Sequence, residues 1–298
     1  MFRFMPVAAF FLAAVLLPVC HASAAQYMFF QPSVSDKQIT PEKWRDIWRD
    51  SKDNGINSVI VQWTRYGDID FGGKDGWLVN ALRDANAAGL DLVMGLYMDP
   101  AYYRRLSEID AAAYDAYLQY ALGQSLKQAE VINARWNLPI AGWYVPLELD
   151  DWNYSQASQR TRAKDLLVGL SDRLDAPVHV STYAGGKVAS QVYGDWIDAL
   201  SEKGLHVWAQ DGAGTGALPD FVRQSYLDAI PCSAGVVLEA FTQTSGVGDD
   251  FKAVPVDDFA ALKRPNQCHE LAFFELRYLP WGRDLLSKHL NVSQAPTS

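Results

Sequence analysis

Cysteine and histidine are scarce in this chain: three Cys and five His among 298 residues. Cys20 lies in the N-terminal apolar stretch, which leaves Cys232 and Cys268 for the rest. His179, His206, His269 and His289 are scattered, mostly near strand starts or on the last helical segment. Metal sites built on His or Cys therefore lack ligands, and no metal or other cofactor is expected. A Gly-x-Ser-x-Gly elbow is absent, which excludes serine hydrolases of that type. No Walker loop exists to cradle phosphate, and no G-x-G-x-x-G follows the first strand-like segment. Positive charge is also short. Lys and Arg number 26 against 35 Asp and Glu, a formal net charge of −9. Such a chain repels a phosphate backbone, and no basic cluster offsets this, so nucleic acid is not an expected partner. Beyond the N-terminus there is no second long apolar run, internal repeat, low-complexity tract or linker.

The one long apolar run has a readable context. Arg3 precedes an apolar stretch over 7–17, and Ala22-Ser23-Ala24-Ala25 follows as a small-residue cleavage site. That order predicts a secretory signal peptide over 1–25, cut after Ala24 or Ala25. The run is shorter than the roughly 20 apolar residues a spanning helix needs. An uncleaved anchor is the alternative. Val19 before Cys20 argues against a lipoprotein cysteine. The expected location is the periplasm or the exterior, with no membrane association after cleavage. Export permits a disulfide. Cys232 and Cys268 each stand a few residues before an apolar strand, at 235–238 and 271–274. If those strands are neighbours, both cysteines sit at the N-terminal end of the sheet, and a Cys232–Cys268 bond is expected. Two buried free thiols are the alternative.

Residues 26–298 alternate regularly between strand-like and helical segments. Strands are expected at 27–31, 58–63, 92–97, 140–147, 178–182, 205–210, 235–240 and 271–275. Helices are expected at 41–53, 76–88, 111–136, 156–174, 188–203, 218–230, 256–262 and 282–290. Thr40 and Pro41 open the first helix, and Asn54-Gly55 closes it. Near-continuous apolar strands between helices mark a parallel sheet buried on both faces. Eight such units predict an α/β fold of the (β/α)8 TIM-barrel type in a single domain, with an open doubly wound sheet as the alternative.

In such a barrel the polar residues at the C-terminal ends of strands form the site. These are Gln31, Gln62 with Trp63, Tyr97, Glu148 through Trp152, Tyr183, Trp208 with Gln210 and Asp211, Glu239, and Glu275. Arg65, Asp99, Ser181 and Arg277 lie beside them. Glu148 and Glu239 each end a buried run, Val145-Pro146-Leu147 and Val236-Val237-Leu238. Low dielectric favours the neutral form of a carboxyl there, and glycoside hydrolysis needs one protonated and one ionised carboxyl. The competing reading makes either Glu a structural partner of Arg277 or Arg65. A carboxylate-bound divalent ion at Asp150 and Asp151 is a weaker alternative, since acidic pairs are usually solvated. Gln31, Gln62, Trp63, Tyr97, Asp150, Asp151, Trp152, Tyr183, Trp208, Gln210, Asp211 and Glu275 are the expected substrate-binding residues. For the aromatics among them, stacking on sugars competes with core packing. Trp44, Trp48, Trp136 and Trp196 fall on helical segments and read as packing residues.

Glutamates ending the fourth and seventh strands resemble the large retaining clan of (β/α)8 glycoside hydrolases. That resemblance implies Glu148 as acid/base and Glu239 as nucleophile, with carboxyls about 5 Å apart. The clan usually carries Asn before its fourth-strand acid, where this chain has Leu147. The segment from Gly142 to Trp152, with Gly-Trp-Tyr-Val-Pro-Leu-Glu-Leu-Asp, resembles more closely the bacterial family called domain of unknown function 4434. The opening Phe29-Phe30-Gln31-Pro32 and the pair Gln62-Trp63 extend that similarity. The resemblance implies a glycosidase-like barrel and leaves the reaction unassigned. Two functions are therefore weighed. One is an exported glycoside hydrolase acting on a polysaccharide such as a bacterial exopolysaccharide. The other is a non-catalytic carbohydrate-binding barrel that works with polysaccharide assembly or export machinery. A lyase or isomerase using one Glu as base is a third, since fold alone does not fix function.

Overall fold

The computed structural model describes residues 26–73, 76–246, 250–262 and 268–285. The expected signal peptide and most of the expected last helix lie outside the described residues. Eight strands close into one barrel: β1 (Gln26–Phe30), β2 (Ser58–Val61), β3 (Asp91–Gly95), β4 (Gly142–Asp150), β5 (Val178–Tyr183), β6 (His206–Gln210), β7 (Gly235–Glu239) and β8 (Leu271–Phe274). Neighbours follow chain order and every pairing is parallel. β8 returns to β1, with Leu271 opposite Gln26. Closure leaves no open edge, so the doubly wound alternative falls.

Helices cover the outside: α1 (Pro41–Asp53), α2 (Trp77–Ala87), α3 (Tyr102–Glu108), α4 (Ala111–Arg135), α5 (Ala157–Ser171), α6 (Ser190–Ser201) and α7 (Asp220–Ala229). Local chemistry sets their ends. Thr40 Oγ1 accepts the Lys43 N–H at 3.3 Å, and Pro41 takes the first turn, where no N–H is needed. Gly55, with φ of 86°, supplies the left-handed residue after α1. Trp44, Ile47, Trp48 and Ser51 form the buried stripe of α1 at helical spacing. Trp44 and Trp48 stack with centroids 5.2 Å apart, and Phe30 of β1 meets both edge-on. Trp136 and Trp196 are buried as well, so all four helical tryptophans pack.

Three local features depart from the expectation. α3 precedes the long helix because Asp99 Oδ1 accepts the Ala101 N–H and starts a turn. Residues 256–262 form only a 3-10 turn, Phe259–Ala261, while Ala253–Pro255 pairs antiparallel with Phe241–Gln243. A second small sheet joins Arg65–Tyr66, Ile69–Asp70 and Tyr97–Met98 above β2 and β3. Each rests on non-local pairing or a side-chain cap that the apolar pattern does not encode.

Side-chain alternation sets the barrel's interior. Phe29, Ile60, Val93, Tyr144, Trp208, Val237 and Ala272 pack together in the lumen. Two residues further along their strands stand Gln31, Gln62, Gln210 and Glu239, on the same inward side and nearer the mouth. β4 reaches the mouth by another route. Tyr144 pairs with His179 and Glu148 with Ser181, so four residues of β4 span two of β5. Pro146, which has no N–H to donate, sits inside this bulge. The bulge puts Glu148, rather than Pro146, beside the mouth, and β4 continues to Asp150.

The opposite end is closed. Trp208 Nε1 donates to His179 Nδ1 at 3.1 Å, and His206 stacks on His179 with centroids 4.4 Å apart. Cys232 and Cys268 form a disulfide there, ahead of β7 and β8, with Cα atoms 5.4 Å apart at a sequence separation of 36. Closing such a loop restricts the unfolded chain by about 4 kcal/mol on the chain-entropy account. Among the described residues, no helix is long and apolar enough to cross a membrane.

Candidate active site

A cavity of about 860 Å³ opens at the C-terminal end of the barrel. Glu148 and Glu239 both line it, together with Gln31, Gln62, Tyr183 and Gln210. Six of the residues singled out in the sequence thus meet in one place, drawn from β1, β2, β4, β5, β6 and β7.

Glu239 is almost wholly buried, at 1% exposure. Its Oε2 accepts the backbone N–H of Gly214 at 2.7 Å and of Thr215 at 2.9 Å. Its Oε1 is buried without a hydrogen-bond partner. The loop after β6 delivers those two N–H groups because Asp211 folds it. Asp211 Oδ1 accepts from Ala213 N at 3.1 Å and from Glu239 N at 3.2 Å, tying the loop to β7. Burial pushes the Glu239 carboxyl up to about 7, and the negative charge of Asp211 adds to that. The two backbone donors pull the other way, and the charge of Glu148 contributes a smaller upward push.

Glu148 is half-buried and accepts at both oxygens. Gln210 Nε2 donates to Oε1, and the Tyr103 hydroxyl donates to Oε2 at 2.7 Å. Burial raises its pKa, opposed by those two donors. Backbone N–H groups can only donate, whereas a phenol can donate to a carboxylate or accept from a carboxylic acid. The two amide donors on Glu239 thus favour its ionised form against the stronger upward push of burial and Asp211, and the donors on Glu148 accommodate either state.

Eight of the expected binding residues do not line this cavity. Trp208 is a lumen residue, and its Cα pairs with Gly235 in mid-strand. Trp63 donates to the Pro32 carbonyl at 3.1 Å and packs on Tyr66. Tyr97 is drawn into the small sheet above β3, under the Arg65 guanidinium. Asp150 accepts from Trp152 N, Asn153 N and Asn153 Nδ2, which folds the turn after β4. Asp151 accepts from the backbone of Gly185, Lys187 and Val188, locking that turn to the loop after β5. These bonds occupy the oxygens that a divalent ion at this pair would need. Trp152 is 57% exposed, with Lys187 Nζ 3.6 Å from its ring centroid. Asp211 acts through the loop described above. Glu275 is fully buried, contacts Arg277 Nε and accepts the Gln31 N–H at 3.1 Å. Acidic and aromatic residues past a strand end look alike in sequence whether they fold a loop or face the cavity.

Other lining residues escaped the sequence reading. Tyr103 arrives on α3, Thr215 on the loop after β6, and Phe241 and Phe251 on the two sides of the hairpin after β7. Tyr278 comes from the 3-10 turn after β8, beside Arg277, which the sequence reading had already placed at that strand end. Among the described residues, no group of three or more His, Cys, Asp or Glu is placed to hold a metal ion.

Comparison with known proteins adds the following. The profile of a domain of unknown function, DUF4434, matches residues 27–253. The uncharacterized protein YbcH of Escherichia coli K12 is 30% identical over 292 residues, covering 93% of this chain and 98% of that one. A Bacteroides thetaiotaomicron crystal structure provisionally described as an alpha-L-fucosidase aligns with a TM-score of 0.59 at 13% identity, over 98% of this chain and 100% of that one. An N-acetylneuraminate lyase from Proteus mirabilis aligns with a TM-score of 0.43 at 12% identity, over 91% and 76% of the two chains. At 13% identity the likeness to the Bacteroides structure shows the barrel fold and nothing finer.

Proposed function

The chain belongs to the family of the domain of unknown function DUF4434, and from that premise we propose that it is a glycoside hydrolase, with Glu148 as acid/base and Glu239 as nucleophile. One observation carries the reading: two buried-edge carboxyls from β4 and β7 line a single open cavity, each held by donors suited to a different role. Glycosidic cleavage needs a proton for the leaving oxygen and a carboxylate at the anomeric carbon. Glu148 gives its proton to the leaving oxygen, and Tyr103 accommodates the carboxylate left behind. Oε1 of Glu239, buried and without a protein partner, is the attacking oxygen in this reading, while Oε2 stays fixed on the Gly214 and Thr215 amides. Water then enters, Glu148 takes its proton, and the glycosyl bond to Glu239 breaks.

A polysaccharide met outside the cytoplasm is the proposed substrate. The disulfide supports an extracytoplasmic setting, since such bonds persist in oxidising compartments. The fucosidase-like barrel supports the chemistry only as an analogy of fold.

The test is to incubate the chain with bacterial exopolysaccharides and detect released oligosaccharides by mass spectrometry. Glu148→Gln and Glu239→Gln are each expected to lose hydrolysis by at least about a thousandfold while remaining folded, as removal of a covalent or proton-transfer step requires. Full activity in both variants would sink the assignment and leave a carbohydrate-binding barrel as the better reading.

A further inference from the structure

Arg277 holds a hydrogen-bond donor that the protein itself does not use. The residue is 2% exposed. Its Nε contacts Glu275 and its Nη2 contacts the Gln31 carbonyl, yet Nη1 is buried without a partner. Gln62 shows the complementary state: its Oε1 is a buried acceptor without a partner. Both residues line the cavity. They flank Gln31, because Gln62 N donates to the Phe30 carbonyl at 2.8 Å on one side and Arg277 grips Gln31 on the other. An unmade buried donor or acceptor costs about 1–3 kcal/mol, so a bound ring that reaches either with one of its hydroxyls is favoured. A hydroxyl accepts and donates at once. Phe274, also lining the cavity, offers an aromatic surface to the apolar face of a ring.

The local charge decides what kind of ring fits. The guanidinium already lies in the fields of Glu275 and Asp36. A carboxylate or sulfate placed on Nη1 would meet both, with Glu239, the ionised nucleophile of this reading, bordering the same cavity. Lys252 is the other cation lining the cavity, and it is exposed on the hairpin beside Asp250. An anionic ring gains one shared hydrogen bond there and faces several like charges.

We propose that Arg277, Gln31 and Gln62 form a sugar subsite on the β8–β1–β2 wall that takes an uncharged, hydroxyl-bearing ring, making the protein selective for neutral over acidic glycans. The glycosidase reading enters only in supposing that the occupant is a sugar.

The experiment is binding without turnover. The Glu148→Gln chain, in which the amide stands in for the protonated acid and removes turnover, is applied to an array of defined neutral, uronic-acid-containing and sulfated glycans. Neutral glycans alone are expected to bind. Adding Gln62→Met is expected to weaken that binding at least tenfold with an unchanged or higher Tm, since the acceptor removed has no protein partner. Adding Arg277→Lys, which keeps the charge but not the fork, is expected to weaken it similarly. Equal or stronger binding of acidic glycans, no glycan binding, or unaltered binding after Gln62→Met would each overturn the subsite. Gln62-dependent neutral binding without hydrolysis by the unmodified chain would instead remove the glycosidase reading and leave the subsite intact.

Discussion

Gly214 and Glu239 meet backbone to carboxylate: the glycine N–H lies 2.7 Å from Oε2, and the close approach depends on a missing side chain. A Cβ at Gly214 would fall 2.4 Å from the Phe241 carbonyl and 2.9 Å from Glu239 Cβ. The loop after β6 and the end of β7 therefore fit together only with glycine there.

Gly214→Ala is expected to push the loop off Glu239 and break one or both amide bonds to Oε2. Hydrogen bonds to a charged group are worth about 1.5–3 kcal/mol, so kcat/KM should fall roughly ten- to a hundredfold. Overpacking should also cost about 1–3 kcal/mol of stability. Steady-state kinetics beside thermal unfolding checks both; unchanged kcat/KM would separate the loop from the chemistry.

The raised pKa of Glu239 makes activity and stability run in opposite directions with pH. A nucleophile must be ionised, so kcat/KM should fall as pH drops below about 7. A carboxyl whose folded pKa is raised stabilises the fold most while protonated. That stability is fully present below its unfolded range and is lost as pH rises through about 7. Tm of the unmodified chain should fall from pH 5 to pH 8 more than Tm of Glu239→Gln. Parallel pH profiles of kcat/KM and Tm, or identical Tm trends in the two chains, would contradict this.

Asp151 and Trp152 are neighbours with different weight. Asp151→Ala strips the acceptor from the N–H groups of Gly185, Lys187 and Val188. Losing three hydrogen bonds to a fully buried carboxylate should cost about 2–4 kcal/mol and lower Tm by roughly 5–10 °C. Trp152→Ala removes an exposed ring under Lys187 and should change stability by less than about 1 kcal/mol, with activity nearly intact. Thermal unfolding and kinetics of the two variants check the contrast. A large activity loss from Trp152→Ala would bring that ring back to the substrate.

Much of the fold was legible because it is periodic. Eight apolar runs spaced by helical ones name the barrel, and strand neighbourhood places Cys232 beside Cys268 once the order is known. Glu148 and Glu239 were legible as candidates because each follows a buried strand, and the cavity they share with Gln31, Gln62 and Gln210 is what separates them from Glu275, which follows one too. Trp208 shows where that reasoning fails. Strand ends are judged from sequence to within a residue or two, and a shift of that size turns a mouth residue into a lumen residue. Asp150, Asp151, Asp211 and Glu275 fail differently. Each is polar, near a strand end and buried, but its partners are backbone N–H groups or an arginine, some two or three residues on, as for Asp150 and Glu275, and some on a distant loop, as for Asp151.

The sequence by itself determined the eight strand-and-helix units of the parallel barrel, and it offered Cys232 with Cys268 and the pair Glu148 and Glu239 as candidates, because these follow from local composition and a two-residue or helical period. The tertiary structure decided which polar residues share a cavity. That choice depends on the bulge that advances Glu148, the loop that lays Gly214 on Glu239, and the turn that aims Arg277 beside Gln31. These are contacts between segments far apart in the chain, and no local pattern encodes them.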